Sequence, residues 1–205
     1  MISGGLDSPV AGYMMLRKGI EVVGLHFDNS PFSTELPLEK TKKILHILSG
    51  KFGKKIKLYI IPHGKNQAEF VRKCTRKYTC LLCRRIQYRI AERIAKREKA
   101  AFIVTGEALG QKASQTIRNI ATIGSAIKTP VVRPLIGLDK EEIIKIAREA
   151  GTFEASSLNT PCCTVVPLLP STAARQEEIE FTEKNLDIEK LVEEAVENSR
   201  VVVIP

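Results

Sequence analysis

Two hydrophobic periods alternate along this chain. Residues 21–27, 57–61, 101–105 and 131–135 are short apolar runs of strand length, the second stopped by Pro62 and the last interrupted by Pro134. Between them, apolar residues recur every three or four positions. Val10, Ala11, Met14, Met15 and Leu16 predict a helix starting near Ser8 and ending at Lys18-Gly19. Ile44, Leu45, Ile47 and Leu48 predict one over 38–52, closed by Gly53. Ile86, Ile90 and Ile94 mark a third, and Ile143, Ile144, Ile146 and Ala147 a fourth that a capping Asp139 opens and Gly151 ends. An acidic helix over 187–198 and the apolar tail 201–204 complete the chain. Strands and helices in this alternation predict an α/β fold, a doubly wound, Rossmann-like parallel sheet with helices on both faces, whose ligand lies beyond the carboxyl ends of the strands.

At 205 residues and 43% hydrophobic, the chain is long enough for one cored domain. No stretch approaches ~18 apolar residues and no signal peptide is visible, which points to a cytoplasmic protein with no membrane partner. The net charge of +9 favours an anionic partner. It is unevenly spread: residues 72–99 hold 11 Lys/Arg against 2 Glu, and residues 175–197 hold 9 acids against 3 bases. The arginines at 84, 85, 89, 93 and 97 mostly avoid the apolar face of their helix, so that helix is expected to offer a basic surface, although such a run also suits a solvated face.

Candidate chemistry begins at Ser3-Gly4-Gly5-Leu6-Asp7-Ser8, a glycine-bearing loop that opens a helix. Glycines let backbone N–H groups approach an anion, and the helix start adds its positive dipole end. A capped Gly-Gly turn is the bland reading. The run resembles the PP-loop of the ATP pyrophosphatases, which implies ATP, cleaved between its α and β phosphates, with Asp7 holding Mg2+ or orienting the loop. That motif usually follows a first strand, yet only Met1 and Ile2 precede it, so the strand is expected to be short or the chain a fragment. His26, Phe27 and Asp28 end the next strand near the nucleotide. Phe27 suits adenine stacking or the core, and His26 suits the nucleotide site or a satisfied strand end. Ser114, Gln115 and Thr116 are expected in the first turn of a helix facing the same site.

Four segments together resemble the ThiI family of tRNA 4-thiouridine synthetases: the opening loop, residues 105–116 with Gly106-Glu107-Ala108-Leu109-Gly110-Gln111 and Ser114-Gln115-Thr116, Arg133-Pro134-Leu135 with Asp139-Lys140-Glu141, and a late cysteine loop. The resemblance covers about residues 1–174, taken as the catalytic domain of the adenine nucleotide alpha hydrolase type. Residues 175–205 are expected to pack on it. It implies that Ser3, Gly4, Gly5, Asp7 and Ser8 bind pyrophosphate, that Gly106, Gln111 and Ser114 lie near the nucleotide, and that Lys140 neutralises phosphate charge. The implied reaction is adenylation of a tRNA uridine at O4, then sulfur attack at C4. Implied partners are tRNA, a sulfur donor (sulfide or a persulfide carrier), a separate THUMP-type tRNA-docking domain and a second copy in a homodimer. Another adenylating enzyme, or a non-catalytic nucleotide- or RNA-binding subunit, is the alternative.

Cysteines stand at 74, 80, 83, 162 and 163. In a cytosolic chain, metal or sulfur chemistry is weighed before disulfides. The family pattern implies a [4Fe-4S] cluster on Cys80, Cys83 and Cys163, with Cys163 the reactive position. Structural zinc, a Cys80/Cys83 redox pair, and Cys162 in place of or beside Cys163 remain open; Cys74 is read as incidental.

Overall fold

The computed structural model describes residues 1–158 and 163–205. In chain order the elements are α1 (Asp7–Arg17), β1 (Gly24–Asp28), α2 (Leu36–Phe52), β2 (Ile56–Pro62), α3 (Gly64–Lys73), α4 (Thr79–Arg97), β3 (Ile103–Val104), α5 (Ile117–Gly124), β4 (Val131–Val132), α6 (Lys140–Ala150), α7 (Phe153–Ser157), α8 (Gln176–Glu183), α9 (Ile188–Glu197) and β5 (Arg200–Ile204). β1 and β2 run parallel with Gly24 opposite Leu58, and β3 and β4 run parallel with Ile103 opposite Val131. β5 pairs antiparallel with β2, an edge strand that departs from the all-parallel expectation.

Residues 1–3 join the two parallel pairs. Met1 N donates to Val104 O at 2.7 Å and Ile2 N to Leu25 O at 2.8 Å, so the opening backbone lies between β3 and β1. The spatial order is therefore β5, β2, β1, residues 1–3, β3, β4. The chain moves outward on one side through β1 and β2 and then crosses to the other side for β3 and β4. Residues 1–3 thus stand at the topological switch point of a doubly wound sheet, and the Ser3–Ser8 loop leaves from there.

Alternation along β2 explains the helices on both faces. Tyr59 and Ile61 enter one core with Leu82, Ile86 and Ile90 of α4 and Val192 of α9. Ile56, Leu58 and Ile60 enter the opposite core with Leu16 of α1 and Ile44 and Leu48 of α2. A third cluster, Val10, Ala11, Ala108, Leu135, Ile143 and Ala147, holds α6 against α1.

The basic face expected on α4 is largely neutralised within the fold. Arg85 is only 1% exposed, and its Nε and Nη2 reach Glu183 of α8 at 2.8 and 3.0 Å. Arg89 binds the same carboxylate at 2.7 and 2.9 Å, and Arg93 pairs with Glu189. The acidic C-terminal segment therefore lies on the basic helix, and the two charge blocks of the sequence answer one another.

Removing one partner of this buried network strands the other charges, so Glu183→Ala is expected to cost about 3 kcal/mol, read from the urea midpoint. Burial raises the Glu183 carboxyl pKa, but hydrogen bonds and charge from Arg89 and Arg85 outweigh it and hold it below the ordinary carboxylate range. Its stabilising contribution is then present above the ordinary carboxylate pKa and lost as pH falls through the depressed folded value. Urea midpoints measured down an acid series should converge for wild type and Glu183→Ala.

Candidate active site

The opening loop is held by its own serines. Ser3 N donates to Ser8 Oγ at 2.8 Å, the two hydroxyl oxygens are 3.1 Å apart, and Gly5 N donates to Ser3 Oγ at 3.4 Å. A Cβ on Gly4 would sit 3.0 Å from Lys40 Cβ and 3.1 Å from Pro37 O, so the fold itself asks for glycine there. At Gly5 a Cβ would meet only Ser3 Oγ, at 3.5 Å. The fold itself leaves room for a side chain at that position.

Two helix starts converge here. Asp7 begins α1 and Lys140 begins α6, and packing of Val10 and Ala11 on Ile143 and Ala147 brings Lys140 Nζ to 3.4 Å from Asp7 Oδ1. Asp139 and Glu142 form a full capping box, which fixes the end of α6 that carries Lys140. The result is a carboxylate, an ammonium and two positive dipole ends around one loop, a setting for a polyphosphate and a divalent cation. A single carboxylate beside phosphate oxygens is also the way Mg2+ is commonly held, so Asp7 fits that ion.

Gly106 lies behind the loop rather than over it. A Cβ there would fall 2.4 Å from Ser8 N, 2.5 Å from Ser8 Cα and 2.6 Å from Asp7 C, all backbone atoms. The next residue, Glu107, is 1% exposed and takes hydrogen bonds from Arg84 Nη2 (3.1 Å), Tyr88 OH (2.7 Å), Thr105 Oγ1 (3.1 Å) and Arg133 Nε (2.9 Å). Burial pushes its carboxyl up, but Arg84, Tyr88 and Arg133 outweigh that and keep it below the ordinary range. Glu107 thereby ties α4, the end of β3 and the chain leading to α6 to one point beside the loop.

Next to Arg84 is Cys83. Its Sγ is 3.2 Å from His63 Nε2 and 3.5 Å from Gln87 Nε2, which donates to it. Asn66 Nδ2 stands 3.1 Å from His63 Nδ1; since the amide donates, the His63 proton belongs on Nε2, aimed at the sulfur. Burial drives the His63 pKa down to about 3, so the ring is neutral. Burial first, then the Cys163 charge, with Cys80 adding to it, push the Cys83 thiol up to about 12 against Arg84 and a Gln67 hydrogen bond. Gln67 Nε2 also points to Cys163 Sγ at 3.8 Å. Cys80, Cys83 and Cys163 thus share one neighbourhood.

Among the described residues no group of three His, Cys, Asp or Glu stands in the arrangement of a metal site. The donor chemistry still fits iron or zinc. Two thiols one helical turn apart lie near a third from another segment, the soft donors that iron or zinc accepts. Cys162 lies outside the described residues.

Other expected site residues sit less directly. His26 is 3% exposed, with Nδ1 3.1 Å from Thr41 Oγ1, and burial lowers its pKa; it is satisfied inside the fold. Phe27 is half-buried, edge-on to His63 at 5.5 Å between ring centres, and packs on the core that α4 covers. Gln111 and Ser114 are partly exposed on the turn after β3. Ser114 and Gln115 form a short 3-10 turn and Thr116 caps α5, accepting from Asn119 N; its extended backbone keeps all three out of the helix that was expected to contain them. Sequence reading passed over His63, Gln67, Glu107 and Lys40. A histidine directly after a strand-ending proline was the one visible signal for His63.

The family model "Thiamine biosynthesis protein (ThiI)" matches residues 1–188. A protein of Acetivibrio thermocellus named "Probable tRNA sulfurtransferase" is 42% identical over the whole chain, which covers 52% of that protein. One of the same name from Methanosarcina mazei is 40% identical over 98% of the chain and 50% of its own length. A crystal structure of a 4-thiouridine synthetase–RNA complex with bound ATP superposes with a TM-score of 0.94 at 37% identity, covering all of this chain and 54% of that one. The chain spans about half the length of the relatives it matches.

A methyl group at Gly106 has nowhere to go except into the loop backbone. Gly106→Ala is expected to distort the Ser3–Ser8 loop and to weaken polyphosphate binding there at least about tenfold, near 1.4 kcal/mol, in titration calorimetry with ATP as the probe. Unchanged affinity would mean that Gly106 does not shape the loop.

Proposed function

The chain belongs to the ThiI family, and from that premise we propose that it carries the catalytic centre for ATP-dependent thiolation of a tRNA uridine, adenylating O4 and placing sulfur at C4. The observation that carries this reading is the Asp7–Lys140 contact at two helix starts, with a thiol group on the far side of the Gly106–Glu107 junction. An activation site and a sulfur site share one sheet edge.

In the first step uridine O4 attacks the α phosphate, the Pα–O–Pβ bond breaks, pyrophosphate leaves and the N3 proton is released. Loop N–H groups and the hydroxyls of Ser3 and Ser8 hold the departing pyrophosphate, Lys140 offsets its charge, and Asp7 holds Mg2+. In the second step hydrosulfide attacks C4, the C4–O4 bond breaks with AMP as leaving group, and its proton returns to N3 as the thione forms. Adenylation makes the second step feasible because it converts a poor leaving group into AMP. Gln111 and Ser114 line the nucleotide from the turn after β3.

Cys80, Cys83 and Cys163 are proposed to hold a [4Fe-4S] cluster, with zinc as the alternative. Such a cluster, when bound, keeps one iron free to carry sulfide. Neutral His63, with Gln87 and Gln67, donates hydrogen bonds to the thiol sulfurs and so orients them. Sulfide or a persulfide carrier is the proposed donor, a THUMP-type domain the proposed tRNA dock, and a homodimer the proposed assembly. Residues 1–174 are taken as the catalytic unit and 175–205 as its covering segment, a division supported by the Arg85–Glu183 and Arg89–Glu183 pairs. A cytoplasmic location accords with the lack, among the described residues, of any helix long and apolar enough to cross a membrane.

Asp7→Ala is expected to abolish AMP formation in the presence of tRNA. Cys83→Ser should leave ATP affinity within about threefold of wild type and suppress 4-thiouridine at least about a hundredfold, measured by mass spectrometry of digested tRNA. Full thiolation by Cys83→Ser would refute the thiol site. Anaerobically purified protein should be brown and contain iron; colourless protein with stoichiometric zinc would overturn the cluster.

A further inference from the structure

Lys40 has no assigned part in this chemistry, yet it touches both halves of the site. It is 3% exposed on the inner face of α2. Its stem lies beneath the pyrophosphate loop, where a Cβ on Gly4 would meet Lys40 Cβ at 3.0 Å and Cδ at 3.5 Å. Its ammonium leads away from the loop and donates to Ser156 O at 3.1 Å and Leu158 O at 2.5 Å. Those carbonyls lie at the end of α7, and Leu158 precedes Cys163 by five positions in the sequence.

Burying an ammonium is costly unless it is well paired. A methionine or leucine would fill the space beside Gly4 without that cost, so the charge has to be explained by what it binds. Backbone carbonyls at the end of a helix are suitable acceptors. Cys163 and its neighbour Thr164 are in turn fastened to the β1–α2 connection: Thr164 N donates to Phe32 O at 3.0 Å, and Gln67, which reaches Cys163, also donates to Asn29 at 2.9 Å.

We propose that Lys40 is a positioning residue that sets the distance between the ATP loop and the Cys163 segment, so that the activated uridine and the sulfur site face each other. The proposal rests on the thiolation reading above. It assigns Lys40 to the transfer between the two steps and to neither step alone. A misplacement on the scale of 1 Å between reacting groups is enough to cost about a hundredfold in rate.

Lys40→Met, which keeps the stem and removes the donors, is tested in the full chain with tRNA, ATP and sulfide. Pyrophosphate release in a single turnover should stay within about threefold of wild type, and 4-thiouridine per pyrophosphate should fall at least about tenfold. In hydrogen exchange read by mass spectrometry, the peptide containing Ser156 and Leu158 should exchange faster while β2 and α4 peptides are unchanged. The exchange readout needs no catalysis, so if wild type makes no 4-thiouridine the thiolation reading fails while the tether is still tested. If exchange and the thiouridine-to-pyrophosphate ratio both match wild type, the proposal is wrong. Equal loss of pyrophosphate and thiouridine, with faster exchange throughout, would show a merely structural role and also overturn it. Should Lys40→Met not fold, Lys40→Gln is read by the same criteria.

Discussion

Where Gly106 meets the backbone of Asp7 and Ser8 there is no room for a side chain, and the rest of the site is built outward from that contact. It presses the end of β3 against the start of α1, at the point where the sheet reverses its winding. One residue on, Glu107 gathers two arginines, a tyrosine and a threonine around a buried carboxylate. Arg84 leads from there to Cys83, and Arg133 leads toward Lys140. A single junction thus fixes the phosphate loop, the thiol helix and the cationic helix start relative to one another. Burial would penalise the Glu107 charge heavily if any of its donors were missing, which makes the junction all-or-none.

The distribution of charge follows a similar economy. A net charge of +9 suggests a protein covered in free cations, but the densest basic stretch is folded against the acidic C-terminal segment. Arg85 and Arg89 share Glu183, Arg93 meets Glu189, and Lys65 meets Glu194. The arginines of α4 therefore act first as internal fasteners. An RNA-facing role for them would require breaking pairs that the fold has already made.

The sheet and its winding were readable from apolar runs and their spacing, because parallel strands buried on both faces leave continuous hydrophobic signals. The helix start at Asp7 was readable because glycine and serine there mark where a helix opens. Strand ends were misjudged: residues 101–105 and 131–135 keep only two paired residues each, although Thr105 N still donates to Val132 O at 3.1 Å. α3 went unseen because it opens at Gly64 without a capping side chain and carries few apolar residues. The partners of His63, Gln67 and Lys40 were invisible for a deeper reason. Their roles depend on partners 20 to 118 positions away, and no local pattern encodes such a meeting.

Taken together, the site has a loop end at Ser3–Ser8 and Lys140 and an end that carries thiols, with Glu107 between them, bound to Arg84 beside Cys83. The central claim is that uridine O4 itself becomes bonded to the α phosphate. Uridine carrying 18O at O4, placed in tRNA and converted in a single turnover with ATP and sulfide, tests this most directly. The account predicts that the label appears in the phosphate of AMP, in proportion to the 4-thiouridine formed. Label released to water while AMP stays unlabelled would contradict it.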